Sequence, residues 1–135
     1  MPQSLKELAE KIVNLAKQNG ATAAEGIARE SISHSVEVKN GSLEKIEGSE
    51  HLKLGARVFI GLRSASVSIS NTENGYLENM ISRAIAMAKQ APEDEFSGLA
   101  EVSQYASNFN IKNFDLLDKS FNDIKPDTLV SLAEQ

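Results

Sequence analysis

The chain has 135 residues, of which 41% are hydrophobic and 24% charged, the make-up of a single soluble globular domain with a modest core. It has no cysteine, which excludes disulfides, a thiolate nucleophile and thiolate metal ligands, and no stretch approaches the ~20 apolar residues of a membrane-spanning helix. The net charge of −5 is uneven, with nine acidic and three basic side chains in residues 92–135. Lys53, Arg57 and Arg63 are the only candidates for a basic face, and Glu44, Glu47 and Glu50 lie near them, so a solvated mixed-charge sheet face is expected rather than a nucleic-acid surface. The N-terminus leads into an amphipathic helix without the basic start and apolar run of a secretory signal, so the expected compartment is the cytoplasm.

Ser4-Leu5-Lys6-Glu7 is a capping box, and Leu5, Leu8, Ile12 and Leu15 follow on one helical face. With Gly20 as a left-handed stop, the first helix is expected over Ser4 to Asn19. Ala24 to Lys39 then alternates as a long strand, with room for a bulge at Gly26 or at Glu30-Ser31. Asn40-Gly41 is a hairpin turn signal, because a type I′ turn needs φ > 0 at both central residues. A second strand is expected over Ser42 to Gly48, a third over Leu52 to Ile60, and a fourth over Arg63 to Ser70 after Gly61-Leu62. Asn71 to Asn74 offers helix caps before the stripe Leu77, Ile81, Ala84 and Ala88, with Met80 and Met87 as core filler, and Pro92 ends that helix. The short turns exclude parallel crossovers. The expected fold is therefore α+β: a four-stranded, mainly antiparallel sheet with two long helices on one face, in the order α-β-β-β-β-α.

Beyond Pro92 the composition changes. Glu93-Asp94-Glu95 is a solvated acidic run, and Ser103 to Asp123 is rich in Asn, Ser and Asp, with Phe109, Ile111, Phe114, Leu116 and Leu117 expected to pin an irregular C-terminal arm. Pro126-Asp127-Thr128 begins a helix that the chain end cuts short, as in a piece of a longer protein. The expected division is residues 1–101 as an α+β N-terminal domain and 102–135 as the arm leading to a further domain.

The chemistry available is sparse. His34 and His51 stand in no H-E-x-x-H or related pair, and no serine lies in a G-x-S-x-G elbow. Glu44, Glu47 and Glu50 share a face only in a helix, which the hairpin denies. Gly55, Gly61 and Gly75 make no phosphate loop. Arg57 and Arg63 are the most informative charges, inside or at the mouth of strands. Two roles are open to them: fixing the sheet edge through carboxylates or carbonyls, or contacting a partner domain or a peptide carboxylate.

N-G-A-T-A-A-E (Asn19 to Glu25), V-K-N-G-S-L-E-K-I-E (Val38 to Glu47) and L-G-A-R-V-F-I-G-L-R-S-A-S-V-S-I-S-N (Leu54 to Asn71) occur in an order and spacing that resemble the N-terminal domain of the PmbA/TldD family, also called modulator of DNA gyrase. The likeness continues through A-P-E-D-E-F-S-G-L-A (Ala91 to Ala100), F-D-L-L-D (Phe114 to Asp118) and K-P-D-T-L-V-S-L-A-E (Lys125 to Glu134), and the tail is similar to the PmbA-like half. The resemblance implies a cytoplasmic complex of TldD-like and PmbA-like subunits, hetero- or homodimeric, acting as a zinc metalloprotease on peptides and unfolded segments. It places the zinc ligands in the C-terminal domain of the TldD-like partner, a motif that no residue here matches. No catalytic, cofactor-binding or metal-ligating residue is therefore expected in this chain, and its implied role is in assembly and in the wall of a substrate chamber. The other reading is a non-enzymatic module that recruits an extended peptide through an open sheet edge.

Overall fold

The computed structural model describes residues 4–107, 110, 114–116 and 118–135. The elements run α1 (Leu5–Gln18), β1 (Ala23–Lys39), β2 (Ser42–Ile60), β3 (Arg63–Ile69), α2 (Asn74–Gln90) and α3 (Pro126–Ala133), with short 3-10 turns at Val102–Gln104 and Lys119–Asp123. The class is α+β. Among the described residues the sheet has three strands in the order β1-β2-β3, not the expected four.

The missing fourth strand has a local explanation. Ser42 to Gly48 and Leu52 to Ile60 are parts of one strand, β2, because nothing between them turns the chain. Gly48 is not among the residues with positive φ, and an added Cβ there would meet the His34 ring of β1 at 3.5 Å, an ordinary contact. One residue on, the Ser49 and Ser33 hydroxyls bond at 2.9 Å. The true turns lie where local chemistry requires them. Asn40 and Gly41 have φ of 52° and 72°, the paired positive values of a type I′ turn. At Gly61-Leu62 only the glycine is left-handed, at φ 60°, the pattern of a type II′ turn.

The chain divides into two compact units, residues 1–30 with 51–101 and residues 31–50 with 102–135. The first unit holds the core. Its β2–β3 hairpin is antiparallel, pairing Leu54 with Ile69, Ala56 with Val67 and Val58 with Ala65, and that set of residues faces the helices. Leu8, Ile12 and Ala16 of α1 and Leu77, Ile81, Ala84 and Ala88 of α2 pack with them in one cluster. Each fully buried Leu or Ile removes enough apolar area from water to contribute about 1.5–3 kcal/mol, so this one face holds most of the stability. Met80 packs against the cluster as expected, whereas Met87 is exposed.

The helix ends follow their chemistry. Ser4 and Glu7 form the full capping box, with the Glu7 amide donating to Ser4 Oγ at 3.2 Å and the Ser4 amide to Glu7 Oε2 at 2.7 Å. At α2 the expected asparagine cap takes another form. The cap residue is Glu73, without a side-chain bond, and Asn71 Oδ1 instead accepts the Glu73 amide at 2.8 Å to close an Asx turn before the helix. Gly26 has a packing role, since a Cβ there would stand 2.5 Å from the Ala9 carbonyl oxygen of α1.

In the second unit no residue with a described side chain is buried. Ion pairs Lys39–Glu44 and Lys45–Glu47 line the hairpin at 3.4 and 2.7 Å, and His34 stacks on Phe121 with ring centroids 5.9 Å apart. Of the residues expected to pin the arm, Phe114 and Leu116 are exposed, and Phe109, Ile111 and Leu117 lie outside the described residues. Asp118 caps the Lys119–Asp123 turn; the Ser120 hydroxyl and then its backbone amide donate to the carboxylate and hold its pKa below the usual aspartate value. A group depressed in the folded state stabilises above its unfolded pKa and loses that contribution as pH falls through the folded one. An NMR titration should accordingly find the Asp118 carboxyl midpoint below that of the same residue in Ser120→Ala; equal midpoints would mean that the cap does not form in solution.

Candidate functional site

The face of the sheet turned away from the helices is open. Because side chains alternate across a strand, it presents Glu25 and Ile27 from β1, Gly55, Arg57 and Phe59 from β2, and Ser64, Ser66 and Ser68 from β3, in register by the pairs Gly55–Ser68, Arg57–Ser66 and Phe59–Ser64. Gly55 leaves a depression here, where an added Cβ would come within 2.8 Å of the Ile27 Cγ2. The resulting groove encloses about 710 Å³ and is lined by Glu25, Ile27, Gly55, Arg57, Ser66 and Ser68 among others.

Arg57 is fixed on this face from two sides. Its Nε and Nη2 reach Glu25 Oε2 at 2.6 and 2.5 Å, and its guanidinium lies 5.1 Å from the Phe59 ring centroid, a cation–π contact. Phe59 is only 2% exposed although it faces away from the helices. Both members of the ion pair keep nearly half of their side-chain surface in water, so screening limits what the pair contributes to stability. Its effect is to hold a planar cation still at the groove wall while leaving the groove without net charge.

Arg63 sits elsewhere. Paired with Ile60, it lies on the helix side of the sheet, where Nη1 donates to the Lys89 carbonyl at 2.9 Å and Nη2 reaches Glu93 Oε1 at 3.3 Å. Lys89 is in the last turn of α2, whose carbonyls have no partner within the helix. Arg63 therefore ties the end of α2 to the start of β3. The two arginines lie on opposite faces and do not form one site. Arg63→Ala should lower stability by about 1 kcal/mol through the lost carbonyl bond and speed amide exchange in the last turn of α2. An unchanged melting transition and exchange pattern would remove that role.

The arrangement can bind and position; it holds no nucleophile and base in a catalytic pairing. Among the described residues no group of three or more His, Asp or Glu side chains could hold a metal ion, so those residues do not fit the zinc that the resemblance implies for a partner subunit. Sequence reasoning singled out Arg57 but missed Glu25, Phe59 and Gly55. The available signal was Gly55 in the middle of an apolar strand, a mark of close approach.

Residues 24–88, which include every residue of this groove, match the family model described as PmbA/TldA metallopeptidase domain 1. This stretch of the chain belongs to the PmbA/TldD family. The chain is 28% identical over 134 residues to a Haemophilus influenzae protein named metalloprotease PmbA homolog, covering 98% of this chain and 29% of that protein. Two solved structures, each described as a candidate modulator of DNA gyrase, share the fold. The one from Bacteroides thetaiotaomicron superposes with a TM-score of 0.88 at 24% identity, covering 96% of this chain and 29% of its own. The one from Thermotoga maritima gives 0.66 at 18% identity, covering 97% of this chain and 28% of its own. The chain thus spans less than a third of the length of these relatives.

Proposed function

We propose that this chain is the N-terminal part of a PmbA-like subunit in a TldD/PmbA-type zinc metallopeptidase that acts on peptides or unfolded segments. The match of residues 24–88 to the first metallopeptidase domain carries the reading, and the end-to-end alignment with the PmbA homolog supports the PmbA-like assignment. On this reading the partner is a TldD-like or second PmbA-like subunit, and the zinc belongs to the TldD-like one. The complex works in the cytoplasm, and this chain supplies assembly surface and chamber wall, with no catalytic centre. That no described helix is long and apolar enough to cross a membrane agrees with it.

The test is to co-express the longer protein with a TldD-like partner and measure metal content and cleavage of an unstructured peptide. The expected result is tightly held zinc and chelator-sensitive cleavage by the pair, and neither in the 135-residue chain alone, because tight zinc sites need three or four ligands in fixed geometry. A pair that holds no zinc and cleaves nothing, or chelator-sensitive cleavage by the short chain, would overturn the proposal.

A further inference from the structure

The strands hold six lysines and arginines. Four of them make ion pairs: Lys39 with Glu44, Lys45 with Glu47, Arg57 with Glu25 and Arg63 with Glu93. Arg29 and Lys53 make none among the described residues, and both are exposed. Both belong to the first compact unit, and strand register brings them together. Glu25 meets Arg57, and an added Cβ on Gly55 would meet Ile27. Two residues further along β1 and two back along β2, Arg29 therefore stands opposite Lys53 on the same open face. Cross-strand neighbours have Cβ atoms roughly 5 Å apart, and like charges so placed are destabilising. No acid relieves them: Glu25 is taken by Arg57, and Glu30, beside Arg29 in sequence, alternates to the other face. In a chain with 19 acidic and 14 basic side chains, a carboxylate neighbour would be the ordinary arrangement.

Two opposed, unpaired cations fit a carboxylate from outside. The guanidinium of Arg29 can grip both oxygens and Lys53 adds a point charge. A nucleic acid is a poorer fit, because it asks for a run of cations and an aromatic face on which bases stack. Here Glu25 shares the face, and Phe59 is only 2% exposed. The groove that begins at Ile27 and Gly55 instead offers apolar contact to the rest of a polypeptide. We propose that Arg29 and Lys53 form a carboxylate subsite at the end of the groove, which selects polypeptides carrying an acidic side chain. The inference rests on the peptide-acting reading above and names a preference among its substrates.

The probes are two fluorescent seven-residue peptides of alternating valine and threonine, one with a central glutamate and one with glutamine in its place. Each is titrated into the chain and followed by anisotropy. The glutamate peptide should bind about 3- to 10-fold more tightly, the yield of two exposed ion pairs. The preference should vanish in 1 M salt, where the screening length falls to about 3 Å. Arg29→Gln and Lys53→Gln should each reduce it, and together abolish it, while the double variant melts no lower than the parent because the repulsion is gone. Arg29→Glu combined with Lys53→Glu should reverse it, so that a central lysine is favoured over glutamine. Binding of neither peptide, equal affinity for both, a preference that survives the double glutamine variant, or displacement of the glutamate peptide by a single-stranded oligonucleotide at lower concentration would overturn the proposal. Equal affinity would leave peptide cleavage by the subunit pair untouched. A glutamate preference combined with an inactive, zinc-free pair would instead remove the enzyme reading and leave the subsite standing.

Discussion

Ile81→Ala should lower the free energy of unfolding by about 2–5 kcal/mol, and Ile12→Ala should do likewise. Both side chains are 0% exposed, one from each long helix, and both enter the cluster formed with Leu54, Ala56 and Val58. Truncation loses the transfer free energy of the removed carbons and leaves a cavity whose walls come from two helices and a sheet, so the site collapses only in part. Urea unfolding followed by circular dichroism measures the loss. A shift under ~1 kcal/mol at both positions would mean that the helices do not present these stripes to the sheet. The paired variant should fall short of the sum if the two side chains share one cavity.

Gly26→Ala should cost about 1–3 kcal/mol, although it adds one methyl group and removes a flexible residue from a strand. The added carbon would stand 2.5 Å from the Ala9 carbonyl oxygen and 3.3 Å from the Ile12 Cβ. The obstacle is backbone, which cannot rotate aside, so α1 must lift from β1 and carry Leu8 and Ile12 away from the core. Gly75→Ala is the control: nothing lies within 4 Å of a Cβ there, and its φ is not left-handed. Helix propensity then leaves stability unchanged or raises it by up to about 1 kcal/mol. Equal behaviour of the two variants in thermal melts would mean that α1 does not approach β1 as closely as described.

Much of the fold was legible because its signals are local. The Ser4–Glu7 box, the stripe through Leu77 and Ile81, and the Asn40-Gly41 and Gly61-Leu62 turns each occupy a few consecutive residues whose backbone preferences need no distant partner. The expected division of β2 failed for the same reason. A local reading takes Gly48 with its polar followers as a break, but the strand continues beside its neighbour β1, and the Ser33–Ser49 contact joins residues 16 apart. The cap of α2 shows a milder case, since Asn71 does bond a backbone amide but spends it on the turn before the helix.

The site divides along the same line. Sequence alone determined that the chain has no thiolate chemistry, where its helices face the core, and that Arg57 and Arg63 are its most informative charges, inside or at the mouth of strands. Only the tertiary structure decided what they do. Arg57 meets Glu25 across 32 residues of chain and Arg63 meets Lys89 across 26, on opposite faces. The open groove likewise exists because strand register brings Gly55 beside Ile27 and Ser68, and register is set by the turns and the buried face together, not by any residue that lines the groove.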